Sequence, residues 1–99
     1  MIDTNDNTKS VLQLAEDITS TERIVEYGHP AVNFTDIAAM WSVILKTNIT
    51  PVQVGLCNIA TKICREINAH KRDNLVDIAG YAKAIDLINQ YDLDNEEED

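Results

Sequence analysis

Between Thr8 and Tyr91 the apolar residues of this chain recur three and four apart, and no stretch alternates long enough for a strand. That period places them along one side of a helix. Helices are therefore what the chain has to build with. Two breaks divide the pattern. In Tyr27-Gly28-His29-Pro30, glycine permits a left-handed turn and the residue before proline is pushed out of the helical region. In Thr50-Pro51, threonine is a helix cap and proline suits the first helical position.

The elements follow from these signals. Val11, Leu12, Leu14, Ala15 and Ile18 begin a helical stripe near Thr8, which reaches Tyr27 as one bent helix or two short ones. Thr19, three residues before Glu22, has the pattern of a capping box there. A second helix, capped by Asn33 or Thr35, carries Phe34, Ile37, Ala38, Trp41, Ile44 and Leu45 on one face. The third starts at Thr50-Pro51 and runs to about Ala69 with Val52, Leu56, Ile59, Ala60, Ile63, Cys64 and Ile67. Asp73 or Asn74 caps a fourth, with Leu75, Ile78, Ala79, Ala82, Ile85 and Ile88, ending near Tyr91. Short links make neighbouring helices antiparallel, so the fold class is all-α, a small bundle of about four helices. Residues 1–7 are expected to fray, 8–91 to form a single domain, and 92–99 to be a disordered acidic tail. Gly55 and Gly80 inside helices each cost roughly 1 kcal/mol relative to alanine. A close helix approach or a homo-oligomer contact would repay that cost.

Charge and cysteine usage narrow the classes further. The formal charge is −9, yet six of the 17 acids lie in the last eight residues, which contain no base. The remaining chain is near balance, and a broad nucleic-acid surface is not expected. No apolar run is long enough to span a membrane and no signal-peptide pattern opens the chain, so the expected location is the cytoplasm. Cys57 and Cys64, seven apart on one helix, sit roughly 10 Å from each other, too far for a disulfide. They are expected as buried thiols.

The chemistry-bearing side chains concentrate between Lys62 and Tyr81. Lys62, Arg65, Glu66 and His70 form one polar ridge on the third helix, and Asp73, Asp77 and Tyr81 a second on the fourth. An antiparallel pairing brings Glu66 toward Asp77 and His70 toward Asp73. Glu66, Asp73 and Asp77 are the candidate ligands of a Mg²⁺ ion, a hard cation that takes oxygen donors. Lys62, Arg65, His70, Lys71, Arg72, Tyr81 and His29 are the candidates for holding a phosphorylated ligand. Each also has a plainer reading. Lys62–Glu66 and Glu66–His70 are ordinary pairs four apart, Asp73 is a cap, and Asp77 is a partner for Arg65 across the helices. Trp41 is a core residue by its spacing, and His29 a loop residue making a local hydrogen bond.

The motifs Tyr27-Gly-His-Pro, Asn33-Phe34, Ile49-Thr-Pro, Lys62-Ile-Cys-Arg65 and His70-Lys-Arg-Asp-Asn-Leu-Val-Asp-Ile-Ala-Gly-Tyr81 resemble a family of small phage and prophage proteins of unknown function. The resemblance covers roughly residues 20–90. The segment from Asp73 to Tyr81 is also similar to the second metal-binding helix of the all-α, MazG-like nucleotide pyrophosphohydrolases. Lys62/Arg65 with Asp77 and Tyr81 resemble the phage nucleotide-modification-associated domains. MazG-like enzymes bind Mg²⁺ through an ExxE pair on one helix and an ExxD pair on the next. Here Asp77 matches the last acid, Asn74 stands where the preceding Glu belongs, and Glu66 has Ile63 in place of a partner. The resemblance implies a degenerate relative that binds a nucleotide or cyclic nucleotide, with hydrolysis left open by the incomplete carboxylate set. A second reading is an acidic anti-defence inhibitor of a host protein, a nuclease or RNA-guided effector, through charge mimicry.

Overall fold

A computed structural model describes residues 2–20 and 28–97, and among them the chain forms four helices and no strand: α1 (Val11–Ile18), α2 (Pro30–Leu45), α3 (Pro51–Asn68) and α4 (Arg72–Glu97). The all-α bundle expected from the periodicity is what the chain builds. No helix of the described residues is long and apolar enough to cross a membrane.

Each start has a local cause. Ser10 and Gln13 form a reciprocal capping box at α1, with the Gln13 amide 3.0 Å from Ser10 Oγ. Thr50 and Gln53 repeat the device at α3, where Pro51 takes the first helical position as expected. The start of α2 falls earlier than predicted. His29, not Asn33 or Thr35, is the cap, and its Nδ1 accepts from the Ala31 amide at 3.0 Å. Gly28, at φ +86°, supplies the left-handed turn that feeds it. Thr19 lies at the C-terminal cap of α1, while Glu22 lies outside the described residues. Between α2 and α3, Ser42 accepts from the Ile49 amide and donates to the Ala38 carbonyl, closing the connection.

The core joins Ala31, Phe34 and Ala38 of α2 to Val54 of α3 and Ala84 and Ile88 of α4, with Trp41 and Tyr81 packed against it. Leu14 and Ala15 bury the inner side of α1, which packs on α4. Antiparallel α3 and α4 form the most extensive pairing. Along it Gly55 opposes Ile85, Lys62 opposes Asp77, and Glu66 opposes Asn74.

This pairing overturns most of the expected inner stripe of α3, of which Val52 still packs against the core. Val54 and Gly55 are buried, whereas Leu56, Ile63, Cys64 and Ile67 are exposed, and so is Cys57. The expectation of buried thiols is therefore wrong. The reason is that α4 packs on the mixed ridge of Gly55, Lys62 and Glu66, one residue round from the apolar stripe. Ile44 and Leu45 of α2 are likewise exposed. On α4 the buried line is Asn74, Val76, Gly80, Ala84 and Ile88, because the helix is covered by α1 as well as by α2 and α3.

Toward the two ends of the described residues the chain makes further contacts. Arg72 donates to the backbone carbonyls of Asp6, at 2.6 Å, and Lys9, while Asp3 and Asp6 cap local turns. The Asp6 carboxyl lies below its usual range, chiefly through the Thr8 hydroxyl and amide that donate to it. At the other end, α4 continues through Glu97, so most of the acidic tail is helical. Tyr91, its ring tilted against that of His29 at 5.0 Å, sets that extension beside the start of α2.

The helix glycines differ in what they admit. A Cβ on Gly55 would stand 2.7 Å from Ile85 Cγ1 and 3.5 Å from Phe34, deep in the α3–α4 seam. On Gly80 it would meet Ile18 Cδ1 at 2.8 Å, the free end of a side chain that can turn away. Close approach within one chain accounts for both. Gly55→Ala is expected to lower stability by roughly 1–3 kcal/mol through overpacking, and Gly80→Ala to change it by less than about 1 kcal/mol, in urea denaturation. Arg72→Ala should cost roughly 1–3 kcal/mol and raise amide exchange selectively in residues 2–10, since a charged donor to two backbone carbonyls is lost.

Candidate functional site

The Lys62–Asp77 pair is the hinge of the site. Nζ lies 2.7 Å from Oδ2, and the side chains are 15% and 23% exposed. Asp77 therefore pairs with Lys62 rather than with Arg65, and a depression opens on each side of the pair. One, about 280 Å³, is walled by Phe34 and Tyr81, whose rings tilt against each other at 6.4 Å, with Asn33, Asp77 and Gly80 completing it beside Ile18. The other, about 330 Å³, is lined by Lys62, Arg65, Lys71, Asp73 and Asn74. Both run along α4, the first reached through Asp77, Gly80 and Tyr81, the second one turn earlier through Asp73 and Asn74.

The character of the two differs for reasons of sequence. Gly80 lets Ile18 pack directly on α4, and the cavity opens beside that contact, along the rings. In the second depression, Arg65 and Lys71 are exposed and make no ion pair with a described residue. Asn74 is buried beneath them and donates to Glu66 Oε1 at 3.2 Å.

Glu66 is already engaged. It accepts from His70 Nδ1, from the Lys71 amide at 3.0 Å, and from Asn74. These donors hold its carboxyl below the usual glutamate range, His70 most strongly, then the Lys71 amide. His70, in the connector just past α3, thus meets Glu66 rather than Asp73. Among the described residues no group of three or more His, Cys, Asp or Glu side chains is placed to hold a metal ion. Glu66, Asp73 and Asp77 accordingly stand apart, one on His70, one in the first turn of α4, one on Lys62.

Of the expected ligand-binding residues, Lys62, Arg65 and Lys71 come together at one depression and Tyr81 lines its neighbour. Arg72, His29 and His70 are taken by the N-terminal segment, the α2 cap and Glu66. Ile18, Asn33 and Gly80 were missed, because the cavity they line is made by three helices that meet only in the fold. Asn33 carried the one usable signal, a polar residue beside Phe34 just inside α2.

A carboxylate whose folded value is depressed contributes stability that is complete above its ordinary value and is lost as pH falls through the folded one. Denaturation curves between pH 7 and pH 3 should therefore show stability falling below about pH 4.3. Glu66→Gln should be less stable than the parent at pH 7 and fall less steeply in that window. Equal slopes for the two proteins would contradict the assignment.

Residues 10–88 match the family described as Domain of unknown function (DUF6378), and the chain belongs to it. Two curated relatives, each named Gene 55 protein, come from mycobacteriophages. The chain is 35% identical over 89 residues to that of phage D29 and 35% identical over 81 residues to that of phage L5. These alignments cover 89% and 80% of this chain but 59% and 52% of the relatives, so it spans little more than half of their length. No solved structure matches it.

Proposed function

We propose that this DUF6378 member binds a small phosphorylated ligand of the nucleoside class across the paired depressions. The observation that carries the reading is their adjacency. An aromatic, amide-lined cavity meets a cationic one at the Lys62–Asp77 pair. A base seated beside Tyr81 and Phe34 gains stacking and apolar burial, with Asn33 as hydrogen-bonding partner. Phosphate oxygens then reach Arg65 and Lys71, whose charges are not spent on a described carboxylate, and Lys62 from its place in the ion pair.

Mg²⁺ enters this reading with the phosphates. Asp73 and Asp77 stand on the ligand's path along α4, and a cation bound between them and phosphate oxygens needs no all-protein cage. The finer possibility of a MazG-like pyrophosphohydrolase rests on the resemblance of residues 73–81 and asks for a second carboxylate pair that α3 does not supply. Binding without turnover is the version the side chains favour. Recognition of a host protein through acidic surface has the helical extension of α4 as its support, and no comparably shaped site accompanies it.

Isothermal titration and thermal shift with nucleoside mono-, di- and triphosphates and cyclic dinucleotides, each with and without Mg²⁺, test the proposal. At least one phosphorylated ligand should raise the melting temperature. Arg65→Ala and Lys71→Ala should each weaken it about tenfold, the value of a charged hydrogen bond, while leaving the unliganded melting temperature unchanged. A flat panel, or affinity indifferent to both substitutions, would exclude this site.

A further inference from the structure

The register of α3 against α4 gives their hairpin two unlike faces. Lys62 and Glu66 point across to Asp77 and Asn74. In an antiparallel pair, the residues that follow these positions on each helix turn to the same side. One face therefore carries Ile63 and Ile67 with Leu75 and Ile78. The residues that precede them, Arg65 and Asp73, line the cationic depression on the other face.

The apolar face has a heptad rhythm. Leu56, Ala60, Ile63 and Ile67 are spaced four, three and four, the spacing of a coiled-coil seam, and all four are exposed. Cys57 and Cys64 follow one residue behind Leu56 and Ile63 along the seam's edge, and none of these positions is charged. We propose that this face is the interface of a homodimer, in which α3 packs antiparallel on α3 of a second copy, Leu56 meeting the partner's Ile67 and Ala60 the partner's Ile63.

Three observations select a second copy as the occupant. The seam is self-complementary about a two-fold axis between Ala60 and Ile63, with a small residue opposite a large one at its centre. The area fits: Leu56, Ile63 and Ile67, at 53%, 45% and 80% exposure, leave on the order of 300 Å² of apolar surface in water. Ala60, Cys57, Cys64 and Leu75 bring the face toward half of the ~800 Å² that each partner buries in a standard interface, and a polar rim supplies the rest. The charge fits as well. Leu56, Cys57, Ala60, Ile63, Cys64, Ile67 and Leu75 include no acid, so copies meeting on this face bring no carboxylates of the seam together. The ligand depressions lie on the opposite face and stay open in such a dimer.

Sedimentation velocity over a dilution series should give twice the chain mass. Ile63→Glu and Ile67→Glu should give monomers with unchanged helical circular dichroism, whereas Ile44→Glu, on the exposed apolar end of α2, should remain dimeric. Antiparallel seams place equivalent edges together, so Cys57 of one copy neighbours Cys64 of the other, offset by about 3 Å along the axis. Diamide, which takes up the two hydrogens released by each pair of thiols, should yield a covalent dimer. Cys57→Ser and Cys64→Ser should each fail to cross-link alone and should cross-link when mixed. A monomer at every concentration overturns the proposal, as does a dimer that survives both Glu substitutions. Cross-linking of either single-cysteine protein with itself overturns the antiparallel arrangement.

Discussion

The antiparallel seam of α3 and α4 is the constraint on which the rest of the molecule depends. It is tight because Gly55 lets Ile85 approach where any side chain would stand in the way. It is in register because Lys62 and Asp77 satisfy each other while largely covered, so a slip along the seam would strand two charges. Glu66 completes it by accepting from Asn74 across the seam and from His70 and the Lys71 amide at the turn. A carboxylate with three donors holds the connection between the helices without needing a packed loop.

From that register follow both the site and the opposite surface. The ridge that α3 turns inward is mixed rather than apolar, and this leaves its apolar stripe facing outward. Basic residues beside the ridge collect on one face of the hairpin, Ile and Leu on the other. On the basic face, α1 and the start of α2 come up against α4 and leave a cavity beside Gly80, where Ile18 packs down on the helix. A chain with this pairing has its polar chemistry and its apolar surface on opposite faces of one helical layer.

Much of the local structure was legible. Thr50-Pro51 starts α3 and Gly28 turns the chain into α2, since each acts through its own backbone geometry or its immediate neighbour. The grouping of Lys62, Arg65 and Lys71 was legible too, because residues three to nine apart around one short connection cannot be far from each other. The extent of α4 was not, since a run of acids disfavours a helix end electrostatically, and here Tyr91 gains a tertiary partner in His29.

What the sequence determined by itself was helix content, the breaks between helices, and the clustering of base and acid near the α3–α4 turn. These depend on interactions within about one helical turn. What only the tertiary structure decided was which side of each helix is inside. Hydrophobic periodicity locates a stripe but does not say what covers it, and the ion pair and the missing Cβ that chose the other ridge act between residues 15 and 30 apart. Glu66, Asp73 and Asp77 show the same division. Their proximity in sequence was plain, but the register put Lys62 on Asp77 and Asn74 on Glu66 and left Asp73 in the first turn of α4.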